Sequence, residues 1–495
     1  MTTDGDRDDR VHPTREDPVA TALSEGIGGP MGAHGRGHRW WTPVRVVLLL
    51  TALCFALGMV QKSSCYAQTW QNGTSRYSHM CYSDMPYLYT GRGFAELNWP
   101  YTGDPQVRAR YEVMEYPVGI SYFAYAAAWV THWGSGSPDI TERFGHSVDY
   151  LFSEAPVRSE VRLFVVVSAL GLAAAALLAA WFLASLDRLR PWDALLFALS
   201  PALALNALVN WDLLAVAATA GALWAWARGK PGLTGVLIGL GTATKLYPLF
   251  LLGGLLVICL RDRRADAFVR AVSAAIVSWV LVNAPAYLTG AAEWKVFWHF
   301  NSDRGADLGS IWLVLQQIKD TPASPFAFQA HTINTWSWLV FGTWCIGVFV
   351  VGMRAPLTPR LAQLGYLVVA GFLLVNKVYS PQYVLWLLPL AVLARPRWRD
   401  QLVWQSTEVF YFASVWWYLG GFLAPAAGGD AGFYWVAILL RMAGELFLVA
   451  MVVRDVLHPE HDPARHARLP VEPDEPAESV APGQSTTTRS NAVAV

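Results

Sequence analysis

Charged residues are scarce in this chain of 495 residues. Asp, Glu, Lys and Arg together make up 15% of it and hydrophobic residues 54%, and the mean hydropathy is +0.31. Soluble domains carry about 25% charged residues, so this composition excludes an ordinary soluble protein. The 37 basic residues are balanced by 37 acidic ones, so no overall field predicts nucleic acid as a partner.

Motifs of soluble enzymes are also missing. The sequence has no Gly-Lys-Ser/Thr phosphate-binding loop, no His-Glu-x-x-His zinc motif and no Cys-x-x-Cys pair, which argues against an ATP-driven pump. No internal repeat indicates a transporter made of duplicated halves. No cleavable signal peptide precedes the first apolar run, at residues 44–60, so we expect a signal anchor with a cytoplasmic N-terminus.

Long apolar runs are what the sequence has in abundance. They recur between residues 44 and 453. Because each membrane span needs about 20 mostly apolar residues, we predict an all-α, multi-pass protein of the plasma membrane with about 11 to 13 transmembrane helices. The transmembrane domain is expected at 44–453, and the polar segments 1–43 and 454–495 are expected to be disordered cytoplasmic tails.

Arginine-bearing turns separate many of the apolar runs. By the positive-inside rule we expect all of them to be cytoplasmic. They lie at residues 187–190, 228–230, 261–264, 354–360, 395–399 and 454. This assignment leaves two large extracytoplasmic loops, at 62–116 and at 290–334.

One segment does not fit this alternation of sides. Residues 62–116 and residues 134–160 are both expected on the extracytoplasmic side. The apolar stretch from Tyr116 to His132 lies between them, and a single crossing there would place them on opposite sides. Either that stretch is re-entrant or interfacial, or one of the arginine turns is extracytoplasmic. The sequence leaves both alternatives open.

The first loop carries two features that bear on chemistry. Cys65 and Cys81 flank a polar stretch, and in an oxidising compartment they could form a disulfide; the alternative is two free thiols. Asp84 stands just before Pro86 and an apolar stretch. It is either a functional carboxylate near the membrane surface or the N-cap of a short helix.

Charged side chains also interrupt apolar runs. A Lys or Asp at the centre of a membrane helix costs about 2.5 to 3.5 kcal/mol, so each one is a functional-site hypothesis by default. Asp212 and Lys245 are alternatively a structural ion pair, and Lys377 could extend to lipid headgroups. In the second loop, His299 and Arg304 lie among aromatic residues. They suit a phosphate group, or they belong to a solvated loop.

The order of these features resembles the GT-C class of polyprenyl-phosphate-sugar glycosyltransferases. It is most similar to glycosyltransferase family 87, which contains the alpha-1,2-mannosyltransferases of actinobacteria. The resemblance covers about residues 44 to 453. It depends on Ser83-Asp84-Met85 followed by Tyr87, on Glu115-Tyr116-Pro117, on the stretches 239–248 and 304–312, and on Asn376 to Tyr383.

This resemblance implies a membrane-embedded, inverting glycosyltransferase. The enzyme would move a monosaccharide, with mannose expected and arabinose as a competitor, from a polyprenyl-phosphate donor to a cell-envelope acceptor on the extracytoplasmic side. The acceptor would be a glycolipid, a polysaccharide or a protein. A flippase or transporter of lipid-linked sugars, with Asp212 and Lys245 as a relay, is the competing function, and a non-catalytic envelope scaffold is a third.

The resemblance also implies roles for individual residues. Asp84 matches the position of the general base. The residues expected around the donor phosphate are Lys245, Tyr247, Arg304, His299 and Lys377, and those expected to bind substrate are Tyr87, Glu115, Tyr116, Asp212, Gln382 and Tyr383. No cofactor is expected, because Ser83 occupies the place of a second acidic residue, although Glu115 or Asp212 could complete a divalent-cation site.

Overall fold

The computed structural model describes residues 17–27, 40–319, 329–423 and 432–466. Of these residues 78% are helical and none lies in a β-strand, which confirms the prediction of an all-α membrane protein. Sixteen helices of seven or more residues are labelled here in chain order. They are α1 Pro18–Ile27, α2 Pro43–Gln61, α3 Met85–Gly91, α4 Val118–Gly134, α5 Ala155–Leu186, α6 Leu213–Ala227, α7 Pro231–Thr244, α8 Leu251–Arg261, α9 Ala265–Thr289, α10 Ala291–Asp303, α11 Ile311–Lys319, α12 Ala330–Arg354, α13 Leu361–Val375, α14 Val384–Ala394, α15 Trp398–Leu419 and α16 Gly432–Leu457.

Shorter helical turns connect these elements. They are Ser63–Ala67, Ser75–Ser78, Phe94–Glu96, Pro105–Arg110, Thr141–Gly145, Val148–Ser153, Pro191–Ala194, Leu195–Ala198, Pro201–Asn206, Tyr247–Phe250, Pro381–Tyr383, Pro459–His461 and Pro463–His466. The first loop, at 62–116, is therefore largely helical, and the second contains α10 and α11. Part of the second loop, at 320–328, lies outside the described residues.

Five of the described helices are long and apolar enough to cross a membrane: α2, α5, α9, α12 and α16. Four further apolar segments are only 10 to 17 residues long: residues 213–227, 247–261, 361–375 and 381–394. Some apolar runs are thus broken into short helices at polar residues. The predicted 11 to 13 spans therefore cannot be counted from long helices alone.

Helices α7 and α8 are two parts of one such interrupted apolar run. Gly235 and Gly239 lie so close to α9 that a Cβ atom on either would come within about 2 Å of its backbone or side chains, the close approach that small residues permit between membrane helices. The chain leaves the helix at Lys245, whose backbone is extended with φ −148° and ψ 145°. It then returns through α8 to Arg261, next to the start of α9. The apolar run is therefore interrupted at Lys245.

The arginine turns gather on one face of the bundle. Arg190 donates to the carbonyl of Pro463 at 2.9 Å, and Arg395 to that of His461 at 3.0 Å. Arg360 pairs with Asp462 at 2.8 Å. Three of the six predicted cytoplasmic turns therefore meet at one segment. The 32 residues of α5 carry the chain about 48 Å away to the opposite face.

Helix α4 begins and ends on that opposite face, so it does not cross the bundle. The chain after α4 contacts the first loop directly: Gln71 donates to the carbonyl of Phe152 at 2.8 Å, and Arg110 to that of Arg143 at 2.9 Å. Residues 62–116 and 134–160 thus lie on one side. This arrangement agrees with the re-entrant or interfacial alternative for the stretch after Tyr116.

The predicted tails fall mostly outside the described residues, at 1–16, 28–39 and 467–495. Their described portions pack on the arginine-rich face. Asp17 accepts a hydrogen bond from the backbone N–H of Trp398 at 2.9 Å, at the start of α15. Asp462 accepts from Gln363 at 3.2 Å in addition to its pair with Arg360.

Candidate active site

A cavity of about 650 Å³ lies between the first loop, α10, α12 and the segments around residues 376–386 and 415–419. Its wall combines groups from seven separate parts of the chain, several of which are brought there by breaks between helices. Eight of the predicted site residues line it: Asp84, Glu115, Tyr116, Lys245, Arg304, Lys377, Gln382 and Tyr383.

The carboxylate of Asp84 turns into this cavity rather than capping a helix. Asp84 immediately precedes α3, but its side chain accepts no bond from the helix backbone. It instead accepts from the Asn210 amide at 2.7 Å and from the Tyr116 hydroxyl at 3.1 Å. The Asp84 N–H donates to the carbonyl of Val209 at 2.9 Å, which fixes the loop against the turn before α6.

Burial raises the pKa of Asp84 above its usual value. Hydrogen bonds from Tyr82, Asn210 and Tyr116 and the charge of Lys245 act in the opposite direction, and burial outweighs them. A carboxylate with a raised pKa that still accepts hydrogen bonds is a suitable proton acceptor for a hydroxyl group.

Lys245 links the cavity to a buried ion pair. Its ammonium lies 3.3 Å from Asp212, whose side chain has no exposed surface. Asp212 also accepts from the Trp386 indole at 2.7 Å and does not line the cavity. The ammonium lies 4.8 Å above the ring of Tyr116. The structural ion pair left open by the sequence is therefore present, and Lys245 still borders the cavity.

Tyr247 and His299 lie outside the cavity wall. Tyr247 is fully buried, with its ring stacked 4.8 Å from Trp386 and its hydroxyl accepting from Thr219 at 3.0 Å. It therefore supports Trp386, which does line the cavity. His299 is exposed on α10. The structure brings neither side chain to the other predicted donor-binding groups.

Two cations border the side of the cavity formed by the second loop. Arg304 forms a hydrogen-bonded ion pair with Asp307. Lys377 donates to the Asn334 side chain at 2.7 Å and to the Ser302 carbonyl at 3.2 Å, and among the described residues it has no ion-pair partner. Burial lowers the pKa of Lys377, and the nearby charge of Arg304 lowers it further. An anion bound here would offset that repulsion.

The segments that carry these two cations are joined to each other. The Asp307 N–H donates to the Lys377 carbonyl at 2.8 Å, and the Tyr379 N–H to the Leu308 carbonyl at 2.7 Å. Below them the Arg441 guanidinium stacks 3.7 Å from the ring centre of Tyr379. The positions of Arg304 and Lys377 thus depend on groups in the helix core.

The core groups under these segments were not identified as functional residues in the sequence. Arg441 pairs with Glu445 at 2.8 Å, both fully buried, and Glu408 accepts from the Tyr379 hydroxyl at 3.0 Å. The signal that could have found them is a charge inside an apolar helix. They support the side of the cavity that carries Arg304 and Lys377 from behind.

The remaining predicted substrate-binding residues differ in their access to the cavity. Glu115 lines it, with its carboxylate held by Arg92 at 2.8 Å. Tyr383 lines it and stacks on Trp386 at 4.0 Å. Gln382 also lines it, and its side-chain oxygen has no hydrogen-bond partner among the described residues.

Tyr87 lies apart from the lining residues. Its hydroxyl accepts from Arg76 at 3.1 Å and donates to the carbonyl of Trp70 at 3.0 Å. Its ring stacks 5.8 Å from Tyr82. Tyr87 therefore supports a neighbouring ring that does line the cavity.

An aromatic wall forms the side of the cavity next to Asp84, and the sequence did not indicate it. We use the term for Tyr77, Tyr82 and Trp416, whose rings are nearly parallel. Their centres lie 6.2 Å apart for the two tyrosines and 5.0 Å apart for Tyr82 and Trp416. The indole N–H of Trp416 has no acceptor within the described ranges.

A disulfide holds the segment that precedes Asp84. Cys65 and Cys81 are joined, with their Cα atoms 5.8 Å apart. The Trp70 indole donates to the carbonyl of Cys81 at 3.0 Å. Since Tyr82 follows directly, the bridge fixes one ring of the aromatic wall as well as the approach to Asp84.

No three His, Cys, Asp or Glu side chains come together as a metal site among the described residues. The two carboxylates considered as additional ligands already have cationic partners. Glu115 pairs with Arg92 and Asp212 with Lys245. A divalent ion at Asp84 would therefore have to displace one of these pairs to gain a second protein carboxylate.

The model of glycosyltransferase family 87 matches residues 150–381, a range that includes Lys245, Arg304 and Lys377 but begins after Asp84. No curated protein matches the chain.

Proposed function

This chain is a member of glycosyltransferase family 87, and we propose that it transfers a monosaccharide from a polyprenyl-phosphate donor to a hydroxyl group of a cell-envelope acceptor. Mannose is the first candidate for the sugar. The observation that carries the proposal is a single cavity with a proton-accepting carboxylate, Asp84, on one wall and the cations Arg304 and Lys377 on another.

The proposed reaction is a single displacement at the anomeric carbon. The acceptor oxygen attacks that carbon while its proton passes to the Asp84 carboxylate, and the bond from the anomeric carbon to the donor phosphate breaks. The electron pair of the broken bond stays on the phosphate oxygen. The products are a new glycosidic bond of inverted configuration, free polyprenyl phosphate and protonated Asp84, which later loses its proton to water.

The donor phosphate gains negative charge as its bond to the sugar breaks. Fixed cations stabilise such charge more strongly in the transition state than in the bound substrate. Lys377 is the best placed, because its ammonium is buried at the wall without an ion-pair partner among the described residues. Arg304 shares the site while paired with Asp307.

The apolar part of the wall suits a lipid-linked donor. Trp298, Trp338, Phe341 and Phe372 line the same cavity as Lys377. A polyprenyl chain is apolar along its length and is favourably removed from water against such side chains. The neighbouring cations and aromatic groups therefore match the two ends of one molecule.

The aromatic wall supports a sugar as the acceptor. Pyranose rings present an apolar face of C–H groups that can pack on aromatic side chains, and Tyr77 and Tyr82 line the cavity together with Asp84. A sugar ring packed on these side chains would lie in the same cavity as the Asp84 carboxylate. A glycolipid or polysaccharide therefore fits better than a protein hydroxyl group.

The transporter alternative has less support. It requires Asp212 and Lys245 to exchange partners during transport, whereas Asp212 is sealed behind the wall and bound to both Lys245 and Trp386. The glycosyltransferase family also favours transfer. Because the arginine turns gather on the opposite face, the positive-inside rule supports an extracytoplasmic cavity and a cytoplasmic N-terminus in the plasma membrane.

The proposal is tested with the full chain in liposomes that contain envelope glycolipids. Radiolabelled polyprenyl-phosphate mannose and polyprenyl-phosphate arabinose are supplied separately, and liposomes without the protein are the control. We expect label from the mannose donor to enter a glycolipid with release of polyprenyl phosphate. Label entering from arabinose alone would change the sugar, and consumption of neither donor would overturn the donor class.

A further inference from the structure

Lys62 is a buried cation that none of the predicted roles includes. It follows α2 directly, and only 3% of it is exposed. Its ammonium donates to the carbonyl of Tyr82 at 3.0 Å and lies 5.8 Å from the ring centre of Phe412. It forms no ion pair with a described carboxylate. An isolated buried charge is costly, so its presence calls for a function.

The charges around Asp84 show what Lys62 contributes. Two carboxylates, the partly exposed Asp84 at the cavity wall and the buried Asp212, lie near two buried lysines, Lys62 and Lys245. Lys245 is already paired with Asp212 at 3.3 Å. The group is therefore electrically neutral only when Lys62 is charged, and without that charge Asp84 would leave a net negative charge in a medium of low dielectric constant.

We propose that Lys62 is a positioning residue for the transfer reaction, whose ammonium keeps the Asp84 carboxylate ionised and holds the Tyr82–Asp84 backbone in place. This inference rests on the proposed function, because it assumes that Asp84 acts as a base. Among the described residues Lys62 contacts Tyr82 and Phe412 and neither Arg304 nor Lys377, so it acts through Asp84 and not on the donor.

The hydrogen bond alone does not require a lysine. A neutral side chain could donate to the Tyr82 carbonyl without the cost of burying a charge. The direction of the electrostatic effects fits a charged partner: burial lowers the pKa of Lys62 to about 7, and the charge of Asp84 opposes that shift. The two groups therefore stabilise each other's ionised forms.

Other titratable groups also face this pair. Tyr82 and Tyr87 come from the first loop, and Tyr66 lies beside Lys62 in a small cavity of about 210 Å³. The segments next to α4, α6 and α7 contribute Glu115, Tyr116, Asp212 and Lys245. Of all these groups, only Lys62 and Lys245 supply positive charge to Asp84.

The first test is the pH dependence of transfer by the full chain in liposomes. Transfer needs ionised Asp84, so the transfer rate falls as the pH falls through the pKa of Asp84. We call this part of the pH profile the acid limb. In Lys62→Met that acid limb should move to higher pH by about one unit, because the ionised carboxylate loses a nearby positive charge. Lys62→Arg should keep the limb near that of the wild type, and the donor KM should not change in either variant.

The matched control is Lys295→Met, which removes an exposed lysine on α10. It should leave the acid limb unchanged. If Lys62→Met does not fold, as judged by gel filtration in detergent, Lys62→Gln replaces it and is compared with Lys62→Arg. A structural role alone would lower the rate equally at every pH, and this result would overturn the proposal.

A second measurement separates this proposal from the proposed function. A hydrophobic carbodiimide reacts with protonated, buried carboxyl groups, and mass spectrometry of the peptide containing Asp84 gives the pH at half labelling without any substrate. We expect this midpoint to rise in Lys62→Met by about as much as the acid limb. A shifted midpoint in a protein that consumes no donor would support the Lys62–Asp84 coupling and overturn only the donor assignment. An unshifted midpoint would overturn the coupling itself.

Discussion

The side-chain amide of Asn210 donates a hydrogen bond to the carboxylate of Asp84 at 2.7 Å, across 126 positions of sequence. The same amide donates to the hydroxyl of Tyr116 at 2.7 Å, and that hydroxyl also donates to Asp84. Asn210 thus ties together the first loop, the segment before α4 and the turn before α6. It also lowers the pKa of Asp84 against the effect of burial.

Replacement of Asn210 should therefore weaken the proposed base. In Asn210→Ala the ionised carboxylate loses a charge-assisted hydrogen bond, so the pKa of Asp84 rises and transfer at pH 6 falls by about tenfold. The loss should shrink as the pH increases, because Asp84 becomes ionised again. The measurement is the transfer rate between pH 5 and pH 9, and a loss of the same size at every pH would contradict the explanation.

The buried ion pair of Asp212 and Lys245 predicts a non-additive effect on stability. Asp212→Asn or Lys245→Met alone leaves one buried charge without its partner and should lower the free energy of unfolding by about 3 kcal/mol. The double variant removes both charges and should recover most of that loss. Denaturant titration of the three variants in detergent gives these values; additive losses would show that the two residues do not depend on each other.

In the same variants, recovery of stability should not restore the transfer activity. Lys245 also borders the cavity beside Asp84, so the double variant should remain defective in transfer after its stability has recovered. The measurement is the transfer rate of the double variant at a temperature where it is folded. Full activity would mean that Lys245 has only a structural role.

Lys377 is expected to act on the donor phosphate. Lys377→Met should raise the donor KM by about tenfold or more and change the acceptor KM little, because a charge-assisted contact to the phosphate is lost. Lys295→Met is the matched control, since that lysine is exposed outside the cavity wall. Equal changes in the two KM values for Lys377→Met would argue against a donor-specific contact.

The Cys65–Cys81 bridge is expected to support both stability and transfer. Replacing both residues with Ala opens the loop that leads to Tyr82 and Asp84, and should lower the free energy of unfolding by about 3 kcal/mol in the chain-entropy model. The transfer rate should fall as well. Cys345→Ala, which removes a free thiol, is the control, and a double variant as stable and active as Cys345→Ala would show that the bridge is dispensable.

Much of the site was accessible from the sequence because charges inside apolar runs are conspicuous. Lys245 and Lys377 are predicted on that basis, Asp84 and Arg304 are predicted from their loops and by resemblance, and all four line one cavity. Tyr247 was named by its place in a motif, and it lies behind the wall. A motif shows which residues are near one another in sequence but not which side chain faces the cavity.

The aromatic wall could not be predicted in the same way. The chain has 24 tryptophans and 19 tyrosines, so aromatic residues do not stand out, and Trp416 meets Tyr77 and Tyr82 only through tertiary packing. Lys62 was missed because a lysine at the end of an apolar run normally extends to headgroups. Only the fold shows that its ammonium turns inward to the Tyr82 carbonyl.

The course of α4 was beyond the sequence for another reason. Apolar length alone does not show whether a helix crosses the bundle or returns to the same face. The decisive contacts are long-range hydrogen bonds on either side of it, such as that from Gln71 to the carbonyl of Phe152.

Asp84 is the proposed base on which transfer depends most directly, and the transfer rate of Asp84→Asn tests this role. Asparagine keeps the size of the side chain and one acceptor oxygen but cannot take up the proton. We predict a loss of at least about 100-fold in transfer from radiolabelled polyprenyl-phosphate mannose, with the protein still folded and the donor KM unchanged. Asp104→Asn, which alters an exposed carboxylate of the same loop, should transfer at the wild-type rate. Wild-type transfer by Asp84→Asn would contradict the account.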